Sequence, residues 1–294
     1  MNTETISEDK FINLNGLSFH YIESVGNGRP IILLHGLASN AHFWDLASPY
    51  MKDIFHTIAL DQRGHGASAK TEDGYDFPNV SRDVASFINR LEIDKPILVG
   101  HSWGGNVAVQ VAADNPNLLS GLVCIDGGLI EPSSRPGANW KDTEKALAPP
   151  DFAALNLTWD QFINRMRASQ MGNLWGSHLE VFAKANFEIQ PDGTVLPYLR
   201  RHRHMKIVRA LWDQKVSELF PSISCPVLLM PARKLEDANV DKRVDAKDKA
   251  IENAIKLMPR TKVVWMEDSV HDVPVQRPKL VAEVIANCAI DGFF

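Results

Sequence analysis

Six short apolar stretches constrain this chain more than any other feature. They are "PIILLHG", "HTIALDQRG", "KPILVGH", "GLVCIDGG", "CPVLLMPA" and "TKVVWMED". Unbroken apolar runs of this length read as strands buried on both faces, which requires helices on both sides of a parallel sheet. Helical periods lie between several of them, at Val80 to Leu91, Trp103 to Ala113, Asp245 to Leu257 and Pro278 to Ile290. Strand alternating with helix predicts an α/β chain with a mostly parallel, doubly wound sheet. Ahead of it, the alternation in "LSFHYIESVG" and the run "FINLNG" predict an N-terminal hairpin.

The rhythm breaks between about Leu129 and Ser224. This stretch shows no good strand and is rich in aromatics: Trp140, Phe152, Trp159, Phe162, Trp175, Phe182, Phe187 and Trp212. It is too long for a plain connection. "TWDQFINRMRASQ" and "RHRHMKIVRALWDQ" read as helices, "EPSSRPGAN" as a linker and "PDGT" as a turn. The expectation is a helical cap over residues 129–220, inserted into a core formed by residues 1–128 and 221–294. The basic cluster Arg200 to Lys206 reads as a solvated helix face, with carboxylate binding as the alternative.

Composition narrows the classes. A chain of 294 residues, 45% hydrophobic and 23% charged, holds ample material for a core. A net charge of −5 leaves no basic surplus for a phosphate backbone, so nucleic acid is not an expected partner. "MNTETISEDKFINLNG" has no positive n-region and no apolar h-region. No run approaches the roughly 20 apolar residues of a membrane span. Cys124, Cys225 and Cys288 are widely spaced in apolar surroundings and read as reduced thiols. A cytoplasmic protein with no membrane partner is the expectation.

"LVGHSWGGNVAVQVAADNP", Leu98 to Pro116, joins a strand to a small-residue helix through Gly100-His101-Ser102-Trp103-Gly104. This is G-x-S-x-G with a strand before and a helix after, the setting the motif requires. A nucleophile on so tight a turn stands exposed above the sheet, and its own backbone takes a strained conformation. Gly100 and Gly104 keep neighbouring side chains out of the way, and Gly105 lets the helix approach the sheet. A phosphate loop would need G-x-x-x-x-G-K-[ST], and a dinucleotide fingerprint G-x-G-x-x-G; neither is present here. Ser102 is the candidate nucleophile.

A serine hydroxyl needs a base, and the base an orienting acid. A late histidine in a loop after a strand suits the base, and "VVWMEDSVHDVPVQRP" supplies His271. The other histidines fit less well. His35 and His65 lie in early glycine-bounded loops, and His101 adjoins the serine but points elsewhere on the turn. His20, His42 and His56 sit in or beside early elements, and His178, His202 and His204 fall in the cap. Two N–H groups should receive a developing oxyanion: the amide of Trp103, and one after "IILLHG", most directly Leu37. No Cys/His ligand spacing suggests a metal, and no cofactor is invoked.

"PIILLHG", "DQRGHGAS", "GHSWGG" and "VHDVP", in that order, make the chain resemble the α/β-hydrolase fold superfamily over nearly its whole length. The resemblance implies a sheet bearing an inserted cap, and a structural role for "DQRGHGAS" near the mouth of the site. Members with an aspartate nucleophile include haloalkane dehalogenases and epoxide hydrolases, and the serine elbow argues against both. Prolyl-aminopeptidase-like members usually show H-G-G-P-G, where this chain has "HGLAS".

Most members carry the acid after the seventh strand, in a stretch like G-x-x-D. Here Ala232 stands where the glycine is expected and Leu235 where the aspartate would be, with Glu236 and Asp237 nearby but off register. A minority carry it after the sixth strand, where "LVCIDGG" places Asp126 at a strand's C-terminal end. Asp-Gly-Gly is also a plain turn signal. Asp126 leads, Asp237 or Glu236 is the alternative acid, and Asp268 and Asp272 flank His271 too closely to orient it easily.

The resemblance then implies a serine hydrolase acting on a small-molecule carboxylic ester or lactone through an acyl-enzyme, with no metal or organic cofactor. The cap's aromatics favour an apolar or aromatic substrate, with Trp175, Met171 and Trp212 as candidate lining residues. The rivals are an amidase or carbon–carbon bond hydrolase on the same three residues, and a non-catalytic ligand-binding protein on this fold.

Overall fold

The apolar runs become the strands of one sheet in the computed structural model, which describes residues 7–24, 26, 28–234 and 240–294. In chain order the strands are β1 (Ser7–Leu14), β2 (Leu17–Ser24), β3 (Arg29–Leu34), β4 (Phe55–Leu60), β5 (Ile97–His101), β6 (Gly121–Ile125), β7 (Phe187–Ile189), β8 (Val195–Pro197), β9 (Val227–Met230), β10 (Ala232–Arg233), β11 (Thr261–Val263) and β12 (Met266–Glu267). Among the described residues, eight of them form a sheet in the order β1-β2-β4-β3-β5-β6-β9-β11. β1 and β2 form the antiparallel N-terminal hairpin, and β2 pairs antiparallel with β4. The remaining ladders are parallel. This is the α/β-hydrolase fold, a mostly parallel doubly wound sheet. Asn15 and Gly16 join the hairpin at φ 54° and 82°, the two-residue turn that matches strand twist.

Helices flank the sheet: α1 (Phe77–Arg90) and α2 (Trp103–Asp114) before the insertion, and α10 (Val240–Leu257), α11 (Val273–Gln276) and α12 (Pro278–Ile290) after it. Between them lie α3 (Trp140–Leu147), α4 (Phe152–Leu155), α5 (Trp159–Arg167), α6 (Gln170–Trp175), α7 (Leu179–Asn186), α8 (Arg201–Asp213) and α9 (Val216–Leu219). Side chains alternate across the sheet, as the period of a strand demands. Ile32, Leu34, Leu98, Leu122 and Leu229 pack against α1, α2 and α10. Ile31, Leu33, Val99, Val123 and Leu228 pack against α12 and the short helical turn Ala41–Trp44. Asp76 caps α1 by accepting from the Asn79 amide, so the helix starts at Phe77, one turn ahead of the apolar period.

The stretch between β6 and β9 is mainly helical and contributes the hairpin β7–β8, turned by "PDGT". These strands are three residues each, too short for a period to show in sequence. The basic cluster in and before α8 is not a plain solvated face. Arg203 pairs with Glu72, Lys206 with Asp73 and Arg200 with Glu188, while His204 is buried against the Leu147 carbonyl. The first two pairs tie α8 to the loop after β4. No helix among the described residues is long and apolar enough to cross a membrane. All three cysteines are free thiols.

The loop after β4, "DQRGHGAS", buttresses the loop after β3. Asp61 is buried; one of its oxygens accepts the Ala41 amide at 2.6 Å. The other accepts the Ala67 amide at 2.8 Å and His20 Nδ1–H at 2.7 Å. His35 Nε2 accepts the Gln62 amide at 3.1 Å, Gln62 Nε2 donates to the His35 carbonyl at 2.7 Å, and His65 Nε2 accepts the Ala38 amide at 3.2 Å. Buried donors must find acceptors, so Asp61 and these histidines fix the course of residues 35–41. Asp61→Ala would orphan the buried donors of Ala41 and His20 and lower stability by about 2 kcal/mol or more. The urea midpoint should fall with its slope unchanged; a wild-type midpoint would remove Asp61 from this role.

Candidate active site

Strand register brings two of the predicted site residues to one edge. His101 of β5 lies opposite Ile125 of β6, which lies opposite Met230 of β9. The residues that follow, Ser102 and Asp126, therefore emerge side by side at the C-terminal edge, where open α/β sheets bind ligands.

Ser102 links β5 directly to α2 at φ 53°, ψ −123°, a strained conformation for a side chain with a Cβ. The packing around it leaves no room for substituents. A Cβ on Gly100 would stand 2.2 Å from the Gly104 carbonyl oxygen, and one on Gly104 would stand 2.4 Å from the His35 carbonyl oxygen. The loop leaving β6 crosses so close that a Cβ on Gly127 would lie 2.2 Å from the Ser102 carbonyl oxygen.

His271 reaches this point from the loop between β12 and α11. Its Nδ1–H donates to Asp126 Oδ2 at 2.6 Å, so its Nε2 is free to accept the Ser102 hydroxyl, 2.9 Å away. Asp126 is largely buried at the end of β6, itself at φ 40°. Its Oδ1 accepts the Ala232 amide at 3.0 Å and the Lys247 ammonium at 2.7 Å. The alternative acids Glu236 and Asp237 lie outside the described residues. Asp268 is exposed and faces Arg277 at 3.7 Å.

Burial pushes the Asp126 carboxyl up, but the His271 N–H and the Lys247 ammonium more than offset it and hold the group down at about 2. Burial pushes His271 down, and the hydrogen bond and charge of Asp126 overcome this and raise it. His101 is brought down to about 3 by burial and by the neighbouring His271, so it is neutral. Its Nε2–H donates to the His271 carbonyl at 2.9 Å, and its ring stacks on Phe43 at 4.6 Å. His101 thus anchors the backbone of His271, a role its place beside the serine did not suggest.

The loop after β3 closes the other side. A Cβ on Gly36 would sit 3.1 Å from Ser102 Cβ, which brings the next residue, Leu37, to the wall beside the serine. The Trp103 amide is the first of α2, and a helix offers its first amides no internal acceptor. Together these residues border a cavity of about 180 Å³. Trp175 and Met171 line it together with Phe43, Phe182 and Asp272. Trp212 does not reach it: the ring packs edge-on against Trp140 at 6.1 Å, elsewhere in the inserted segment. A larger open hollow of about 380 Å³ near Asn156 and Asp192 contains neither Ser102 nor His271.

A model of the alpha/beta hydrolase family matches residues 31–284. The chain belongs to the alpha/beta hydrolase family. It is 37% identical over 133 residues to a soluble epoxide hydrolase of Corynebacterium sp. (strain C12), covering 45% of this chain and 46% of that one. It is 27% identical over 267 residues to N-formylmaleamate deformylase of Pseudomonas putida, covering 90% of this chain and 89% of that one. The crystal structure of E-2-(acetamidomethylene)succinate hydrolase superposes with a TM-score of 0.76 at 24% identity, over 96% of this chain and 98% of that one. The chain spans less than half the length of the first curated relatives it matches. Alpha/beta hydrolases differ in bond cleaved, so membership establishes a hydrolase scaffold and leaves the bond to the site.

The His271 shift has a definite sign. Asp126 favours imidazolium, so NMR titration of the His271 ring should give a pKa above the ordinary 6.5. In Asp126→Asn the anion is gone and the value should move down. A rise or no change would break the link between the two residues.

Proposed function

We propose that this protein is a serine hydrolase that cleaves carboxylic esters or lactones through an acyl-enzyme. The unbroken hydrogen-bond chain from Ser102 to His271 to Asp126, at 2.9 and 2.6 Å, carries this reading. His271 Nε2 takes the hydroxyl proton as Ser102 Oγ adds to the substrate carbonyl. The amides of Leu37 and Trp103 receive the oxyanion. As the tetrahedral adduct collapses, the imidazolium gives its proton to the leaving alkoxide. In a lactone the alcohol stays tethered to the acyl group. Water then adds to the acyl-serine with His271 as base, and the carboxylic acid leaves as Ser102 regains its proton. Asp126 holds the tautomer with Nε2 unprotonated and stabilises the imidazolium.

Serine chemistry also speaks against epoxides. Attack of Oγ on an epoxide carbon would form an ether, which the same base and water could not release. The likeness to a deformylase over nine-tenths of the chain favours amide cleavage as a second reading. The pocket weighs on the substrate. Its walls mix apolar side chains with Ser39, His101 and Asp272, and among the described residues no Lys or Arg lines it. Maleamate and succinate compounds are carboxylates, and an anionic acyl group would meet like charge there. A small uncharged acyl group fits the cavity better.

A p-nitrophenyl ester series from acetate to decanoate tests the bond class. The wild type should turn over the short members fastest, and Ser102→Ala should lose on the order of 10⁴-fold or more. Equal rates in the two proteins would sink the serine mechanism, and formamide turnover without ester turnover would favour the amidase. A butyrate ester should outpace the matching hydrogen-succinate ester by at least about tenfold. The reverse order would place an unseen cation in the site.

A further inference from the structure

The second oxygen of Asp126 is held as tightly as the first. Lys247 Nζ donates to Asp126 Oδ1 at 2.7 Å and to the Ala232 carbonyl at 2.7 Å, while the Ala232 amide donates to the same Oδ1 at 3.0 Å. The three groups close a small ring of hydrogen bonds around one carboxylate oxygen. Ala232 begins β10, just past β9, in the stretch where the common arrangement would place its own acid. Lys247 comes from α10, which follows that turn. The strand that does not supply an acid at Leu235 instead supplies backbone groups, and its helix a lysine, to brace the acid of the strand beside it.

We propose that Lys247 is a positioning residue that holds Asp126 in the rotamer facing His271. This rests on Ser102, His271 and Asp126 acting as a catalytic triad. With Oδ1 fixed by two donors, Oδ2 is left to His271 Nδ1 alone. A carboxylate on a backbone at φ 40° has little else to set its direction. The ammonium also has an electrostatic consequence. The groups facing His271 are Asp126, Asp272, Lys247 and the ring of His101, whose centroid is 4.8 Å away. Of these, Asp126 and Asp272 favour imidazolium, and Lys247 opposes it. Orientation of the acid and basicity of the histidine are therefore separable effects of one side chain.

In Lys247→Gln the Asp126–His271 bond should weaken. Because Asp126 acts on His271 more strongly than the lysine does, the His271 pKa, followed by NMR, should fall and the acid limb of kcat/KM should move to lower pH. A rise would leave the lysine a charge effect alone and overturn the positioning role. On the plateau kcat should fall by about tenfold with KM little changed, the low end of the loss when an outer partner of an oriented histidine is removed. Lys247→Arg should restore both pKa and kcat. A His271 that titrates at the wild-type value in folded Lys247→Gln overturns the proposal, as does a loss of stability alone. Lys247→Met, equally long and uncharged, replaces a glutamine variant that does not fold. The unaltered lysine gives an independent reading: its ammonium protons should exchange slowly with water in the wild type and faster in Asp126→Asn. Equal exchange in both overturns the proposal too. Were the wild type to hydrolyse none of the esters, lactones or amides tried, the function above would fall, while the His271 titration and the ammonium exchange would still decide the role of Lys247.

Discussion

The backbone of Ser102 is the constraint on which the rest of the site depends. A residue with a Cβ at φ 53° persists only where its surroundings over-determine it. Here the Ser102 amide bonds to the Ile125 carbonyl at 3.1 Å, and its carbonyl takes the Gly105 amide at 2.9 Å. Each bond enforces something else. The first pins the end of β5 to the end of β6, so that Asp126 arrives beside the serine. The second starts α2 at once, which leaves the Trp103 amide unspent. The sharpness of the turn lets the loops after β3 and β6 approach closely: a Cβ on Gly104 or Gly127 would collide with backbone at 2.4 and 2.2 Å, and one on Gly36 would crowd Ser102 Cβ at 3.1 Å.

Two buried carboxylates show how one chemistry serves scaffold and site. Asp61 distributes its oxygens among two backbone amides and His20, and no oxygen is left for a moving proton. Burial pushes its carboxyl up, but the hydrogen bonds and charge of its partners outweigh this and bring it down. Asp126 is treated alike, with the Ala232 amide and Lys247 on Oδ1 and a histidine on Oδ2, but the far nitrogen of His271 meets the Ser102 hydroxyl at 2.9 Å where that of His20 meets the Asp9 carboxylate at 3.0 Å. The difference between brace and candidate catalyst is therefore one partner. Asp61 works indirectly by fixing residues 35–41, from which Leu37 borders the cavity.

The sheet and the elbow were legible in sequence because both rest on local rules. Parallel strands need unbroken apolar runs, and a nucleophile turn needs small residues at fixed offsets. His271 and Asp126 were legible as residues that end or follow strands at one sheet edge, although 145 positions separate them. Other features follow from packing that no local pattern encodes. β7 and β8 are too short to show alternation. Trp175 and Trp212 look equivalent along the chain, yet one stacks on Phe182 at 4.1 Å beside the cavity and the other packs on Trp140. Lys247 lay in a charged run that reads as a solvated helix start, and its bond to Asp126 spans 121 residues. His101 gave no signal, because its partner is a backbone carbonyl.

The same distinction between local and distant contacts bears on substrate. The fold is a scaffold that hosts many reactions, so selectivity must come from what the loops and the segment between β6 and β9 present. In the basic stretch of that segment three cations are paired with carboxylates, Arg200 with Glu188, Arg203 with Glu72 and Lys206 with Asp73, while Arg201 donates to the Pro149 carbonyl. The stretch braces α8 and does not border the cavity. Nor can Lys247 serve an anionic ligand, since its ammonium is committed to Asp126 and the Ala232 carbonyl. Asp272 borders the pocket, and burial and the nearby Asp126 push its carboxyl up. On the function proposed above, such a wall suits a neutral acyl group, since a carboxylate would find no described cation to meet it.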